Sequence, residues 1–313
     1  MSKRSASAAA SELQIPERAW QPVKTRRGPV QYAIGFGILV ALSVAWAWEP
    51  LVTVISRSLK SGEYEHYSHI LLLPFFIAYL LYLNRGAIGE RARPALIAGT
   101  LITVTGAVLI GLASTRMTDP DLRLSLAMAG LVTAWVGSFI LCYGLAAFRV
   151  AAYPLFMLVF MIPLPPGVLH AIIVFLQHAS ADATHVIFGL IGMPNFREGT
   201  VFALPGLTIH VAEECSGIRS SLALLISGFA MAYLLLRRSW TRTTLLLTIV
   251  PIAIIKNAVR IVALSWLAVY VDPSFITGSI VHRSGGIPIF ALSLLMLGTL
   301  VFVLRRFEER KSA

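Results

Sequence analysis

Long apolar runs dominate this chain, and LVTAWVGSFILCYGL at 131–145 is one of them. Such a run has no polar face to turn to water, and a helix is the form that satisfies its backbone inside hydrocarbon. Hydrophobic residues make up 57% of the 313 positions and charged residues 13%, whereas a soluble domain carries about 25% charged residues. No polar stretch is long enough to bury a core of its own. The expected fold class is an all-α polytopic membrane protein with about eight transmembrane helices. The spans expected are 30–48, 70–83, 95–113, 124–145, 150–162, 217–236, 244–270 and 287–304. Several approach the roughly 20 residues needed to cross about 30 Å of hydrocarbon. The span at 70–83 is short, and 150–162 stops at Pro163, Pro165 and Pro166.

The net charge of +11 is mostly a topology signal, and no nucleic-acid partner is expected. Most of the 26 Lys and Arg cluster beside alternate span ends. Lys24, Arg26 and Arg27 precede the first span, Arg85, Arg91 and Arg93 follow the second, and Arg149 follows the fourth. Arg237, Arg238 and Arg242 follow the sixth, and Arg305, Arg306, Arg310 and Lys311 follow the last. The positive-inside rule then places both termini in the cytoplasm. The expected organisation is a polar cytoplasmic tail at 1–29, a single membrane-embedded domain at 30–304 and a basic cytoplasmic tail at 305–313. The first span lacks a small-residue cleavage site and reads as retained.

Segment 169–192 is long enough to cross but holds His170, Gln177, His178, Ser180, Asp182, Thr184 and His185. If it crossed, the helix after Cys215 would run outward toward Arg237 and Arg238, against the charge pattern. It is therefore expected to be amphipathic or re-entrant at the outer surface, lining a site. At 200–212, two β-prone runs flank Pro205-Gly206 and predict a short outer-surface hairpin.

Three reactive side chains fall on successive spans at one expected level. Cys215 begins a helix, where unpaired N–H groups and the dipole favour a thiolate. The N–H groups of Ser216 and Gly217 are placed to bind an oxyanion, with Gly217 allowing close approach. Glu213 and Glu214 oppose thiolate formation unless they are turned away or paired, for instance with Arg219. A rise of about 1.5 Å per residue from Thr243 lifts Arg260 about 26 Å, into the outer leaflet. Lys256 and Asn257 share its helix face. The plainer reading of Arg260 is an interhelical salt bridge to Glu213 or Glu214, and Lys256 reads as structural. His282 lies in the loop before the last span, and an imidazole with a pKa near 6.5 takes and returns protons at working pH. Taken alone, a loop histidine is more often idle; the convergence of Cys, Arg and His at one level is what favours chemistry. His66 and His69 flank the interfacial Tyr67 and read first as packing groups. Cys142 sits mid-run as a small apolar side chain. No cofactor is expected, and His210, Glu213, Cys215 and His282 lack the tight spacing of a metal set.

At these residues the chain resembles the exosortase/archaeosortase family of integral-membrane cysteine transpeptidases. The likeness rests on EECSGIRSSLALL around Cys215, NAVRIV around Arg260 and HRSGG around His282, with YSH at 67–69, IPLPPG at 162–167 and NFREGTVFALPG ahead of the Cys segment. Where the family has YSHG, Ile70 stands in place of the glycine, which weakens any role for His69. The resemblance implies Cys215 as nucleophile, His282 as general acid/base and Arg260 as oxyanion stabiliser or substrate-positioning group. It implies exported proteins as substrates, each ending in a short motif (Pro-Glu-Pro in many cases), a hydrophobic span and a basic cluster. An amine or hydroxyl acceptor would resolve the thioester, at the periplasmic face of a bacterial inner membrane. Two other classes fit a multi-pass chain: a transporter or flippase, and an assembly subunit for envelope polysaccharide export. The first calls for inverted repeats and polar groups at the midplane, and neither pattern is visible.

Overall fold

The computed structural model describes residues 30–59, 67, 69–211, 217–272 and 286–310. The apolar runs form helices, as their composition requires. The chain starts with α1 (Val30–Trp46) and α2 (Trp48–Leu59), set at 77° to one another. Next come α3 (Leu73–Leu83), the short α4 (Arg85–Glu90), α5 (Leu96–Arg116) and α6 (Pro120–Phe156). A 3-10 segment, Met157–Met161, leads across the Pro-rich break to α7 (Pro166–Leu190). Three strands follow: β1 (Phe196–Glu198), β2 (Val201–Leu204) and β3 (Leu207–His210). The described helices end with α8 (Ile218–Leu235), α9 (Ser239–Tyr270) and α10 (Gly286–Arg310).

Among the described residues, six helices are long and apolar enough to cross a membrane, or seven if the bent α1–α2 pair is one span. The difference from eight expected spans has physical causes. At 70–83 only Leu73–Leu83 is helical, with a proline in the first turn fixing its start. The expected spans at 124–145 and 150–162 are one apolar helical stretch, Pro120–Met161, broken at Gly144. Segment 169–192 lies almost wholly in α7, a continuous helix long and apolar enough to cross a membrane. Its Gln177, Ser180 and Thr184 are buried together on one face, while His170, His178, Asp182 and His185 are exposed. On the buried face Gln177, Ser180 and Thr184 are all hydrogen-bonded. The basic residues Arg305, Arg306 and Arg310 lie in the last turns of α10, which stays helical to Arg310.

Gly144 breaks α6 with φ 80° and ψ 174°. The start of α5 is fastened to that break: Arg93 N–H donates to Tyr143 O at 2.9 Å, and Ala95 N–H reaches Ile140 O at 3.4 Å. From there α5 and α6 pack backbone to backbone, with Gly99 and Gly106 of α5 meeting Leu141 and Ala134 of α6. Small residues let helices approach closely where no hydrophobic driving force exists between them. At the other end of the pair, Asp119 caps α6 by accepting from the amides of Asp121 (2.8 Å) and Leu122 (2.9 Å). Arg57 pairs with Asp121, and Arg123 with Glu49, tying α2 to the same corner.

The second half is organised around α9. Leu224 of α8, Leu245 and Ile249 of α9, and Leu297 and Val301 of α10 form one apolar cluster. A separate cluster joins Ala181 and Phe188 of α7 to Phe202 and Leu204 of the sheet and Ile261 of α9. The hairpin expected at 200–212 is present, with Leu204 opposite Leu207 across Pro205-Gly206. β1 adds a third antiparallel strand in the order β1-β2-β3.

The two halves meet at the end of the bundle that carries the basic connections. Asn84 Nδ2 donates to the Tyr233 hydroxyl at 2.7 Å, the Tyr153 ring stacks on Tyr233 at 4.9 Å, and Arg242 lies 5.6 Å from the Tyr153 ring. There, too, the buried Glu308 carboxylate of α10 accepts from the amides of Arg237 (3.0 Å) and Arg238 (2.7 Å) and from the Thr241 hydroxyl. It closes the start of α9, whose first amides have no partner within the helix. Glu308→Ala leaves the two amides and the buried Thr241 hydroxyl without this acceptor, a loss of about 2 kcal/mol. The expected result is a lower thermal-unfolding midpoint of the detergent-purified protein, with Glu308→Gln intermediate.

Candidate functional site

The described part of the candidate site lies where α8 begins against α9. Gly217 is the N-cap of α8, buried and left-handed at φ 71°. A Cβ on Gly217 would stand 3.0 Å from Asn257 Oδ1 and 3.2 Å from Asn257 Cγ. The glycine therefore permits the turn and lets the start of α8 lie on the Asn257 amide. Asn257 is itself buried and donates through Nδ2 to Ser180 Oγ of α7 at 3.0 Å. One asparagine thus connects three elements: the start of α8, the middle of α7 and the face of α9 that carries Arg260.

Below it the buried Lys256 donates through Nζ to Ser220 Oγ in the first turn of α8. Ser220 and Ser221 in turn donate to Gly217 O at 3.0 and 2.8 Å. The lysine read from sequence as structural is thus tied to the first turn of the helix that follows Cys215. Arg260 is half-buried, one helical turn beyond Lys256. Arg219 is exposed. Gln177 Nε2 donates to Val211 O, fixing the chain where it leaves the sheet.

Cys215, Ser216, Glu213, Glu214 and His282 lie outside the described residues. Of the site residues expected from sequence, the structure brings Gly217 and Asn257 together and places Arg260 on the same helix face. His69 is placed with Phe160, its Nε2 3.1 Å from the Phe160 carbonyl. The Phe160 ring packs edge-on against Phe229, roughly 17 Å along α8 from Ile218. Ile70, where the family motif has glycine, is buried in the core around α3 and α6. Cys142 is half-buried on α6, and a Cβ on Gly35 of α1 would lie 3.6 Å from its sulfur. Sequence reasoning did not single out Ser220; its place five residues after Cys215 in the chain, ahead of a lysine-bearing span, was the available signal.

Gly217→Ala tests how much the site depends on this contact. A left-handed alanine costs about 1–2 kcal/mol, and its methyl presses on the Asn257 amide. The expected result is a folded protein with a modestly lower thermal midpoint and reduced activity. Unchanged activity would show that the Gly217–Asn257 contact serves packing alone.

The fold defines a multi-span helical membrane protein, with a polar junction where α8 begins against α9. A family model, transmembrane exosortase (Exosortase_EpsH), matches residues 61–299, well over half of the chain. The chain belongs to the exosortase family, whose members are membrane-embedded sorting transpeptidases acting on exported proteins. A search of curated proteins and a search of solved structures each gave no match.

Proposed function

We propose that this protein is a membrane-embedded cysteine protease/transpeptidase that removes C-terminal sorting signals from exported proteins. The family match supports the class of reaction, and the observation that carries the site is the junction of Gly217, Asn257 and Lys256 beside Arg260. Cys215 lies two residues before Gly217 in the chain. Its thiolate attacks the carbonyl carbon of the scissile peptide bond, forming a C–S bond and a tetrahedral oxyanion. Arg260 stabilises that oxyanion or positions the substrate, with the amides of Ser216 and Gly217 assisting. His282 protonates the departing amine as the C–N bond breaks. An amine or hydroxyl acceptor then displaces the thiol from the thioester.

The substrates are exported proteins ending in a motif of the Pro-Glu-Pro type, one apolar span and a basic cluster. The span delivers the scissile bond to the outer face of a bacterial inner membrane, and the enzyme is a single domain over 30–304. The test is a secreted reporter carrying this tripartite end, co-expressed with the enzyme in a Cys142→Ser background. A shortened reporter whose formation stops when a membrane-impermeant thiol reagent is added outside the cell supports the reading. Shortening that continues after thiol modification sinks it.

A further inference from the structure

Strand β3 presents an edge that nothing in the described chain uses. Leu204 and Leu207 flank a two-residue turn, so they form a hydrogen-bonded pair, and the antiparallel ladder alternates from there. Leu207 and Ile209 therefore turn their amides toward β2, and Thr208 and His210 turn theirs outward. The bond from Val211 N–H to Thr200 O, at 3.0 Å, continues the same register. Thr208 and His210 are both exposed. Among the described residues, no group pairs with their main-chain N–H or C=O.

Open edges are usually blunted by charge, proline or a covering element, and the strand LTIH has no lysine, acid or proline. The His210 ring is drawn back toward the β1–β2 turn, with Nε2 3.3 Å from Thr200 Oγ1. The edge is also held rigidly. Phe202 is fully buried and packs edge-on against Phe188, Arg197 pairs with Asp182 at 2.7 Å, and Gln177 holds Val211 O. Five residues after His210 the chain reaches Cys215, a continuity that the opposite edge, on β1, lacks.

We propose that the open edge of β3 binds the substrate polypeptide as an added strand, pairing with the outward main-chain groups of Thr208 and His210. The inference rests on the cysteine-peptidase reading above and names how that site takes its substrate. The occupant is an extended peptide next to its scissile bond, recognised mainly through alternate backbone N–H and C=O groups. Main-chain pairing of this kind supplies affinity, while side chains at alternate positions supply selectivity.

The experiment uses the full chain in detergent and a short synthetic peptide spanning the cleavage point mapped on the reporter. Thr208→Pro removes an outward N–H at an edge position, where the sheet tolerates proline. Thr208→Val keeps that N–H and controls for the side chain. Losing one such bond is expected to raise KM about tenfold with kcat held, while Thr208→Val matches wild type. A second arm uses wild-type enzyme with peptides N-methylated one amide at a time, so it does not depend on a variant folding. KM penalties recurring at every second residue support the added strand. Cleavage by the wild type with no penalty in either arm overturns it. Failure of the wild type to shorten the reporter, or equal shortening by Cys215→Ala, instead overturns the enzyme reading on which the strand depends.

Discussion

Cys215→Ala is expected to abolish reporter shortening, with a fall in kcat of roughly 10⁴-fold or more. The methyl group can neither attack a carbonyl nor hold an acyl group, so no step of the proposed sequence survives. The measurement is the time course of the shortened product, with enzyme levels in the membrane matched by immunoblot. Cys142→Ala is the internal control. That sulfur is on α6 beside Gly35, and its loss is expected to leave the rate unchanged. Cys215→Ser is less informative, because a hydroxyl can retain weak nucleophilic activity. Equal processing by Cys215→Ala and wild type would make the thiol structural and return the chain to a transport or assembly role.

Gly144→Ala is expected to have the largest effect on the fold. At φ 80° and ψ 174° the backbone is in a region open almost only to glycine, and an added Cβ would fall 1.6 Å from Arg93 O. Strain of about 1–3 kcal/mol for the conformation is joined by a similar cost for the clash, because backbone rather than a flexible side chain must give way. The contact also anchors the start of α5, so movement there disturbs the tightly packed α5–α6 pair. The expected outcome is little accumulated protein, or a strongly lowered thermal midpoint in detergent. Gly111→Ala serves as the comparison. An added Cβ there meets nothing within 4 Å, so a neutral or slightly stabilising effect is expected from helix propensity. Similar behaviour of the two variants would remove the break at Gly144 from its assigned role.

Apolar composition alone dictates that this chain is helical, and the turn signal at Pro205-Gly206 reveals its hairpin. The third strand is hidden, because NFREG shows no apolar alternation and is ordered by pairing with β2. The break at Gly144 is hidden for a related reason. FILCYGLAAF reads as one apolar run, and the close approach of the Arg93 carbonyl is a tertiary event with no local mark. In the site, the spacing of Lys256, Asn257 and Arg260 on one helix face was readable, because helical period fixes it. What each side chain meets was not. Asn257 meets Ser180 and Gly217, and Lys256 meets Ser220, across contacts between helices distant in sequence. The roles of Cys215 and His282 rest on their motifs and their order in the chain.

Glu308 has a consequence for the order in which the protein is made. The amides it receives belong to residues 71 and 70 positions earlier, and the hydroxyl to one 67 positions earlier. While the ribosome is still extending α10, the beginning of α9 has none of these acceptors. The helix that carries Asn257 and Arg260 is therefore closed at its base only after nearly the whole second half has been synthesised. A nascent chain stalled before Glu308 would hold Arg260 yet lack the clasp at the base of the helix that carries it, so closure of α9 awaits completion of the last helix.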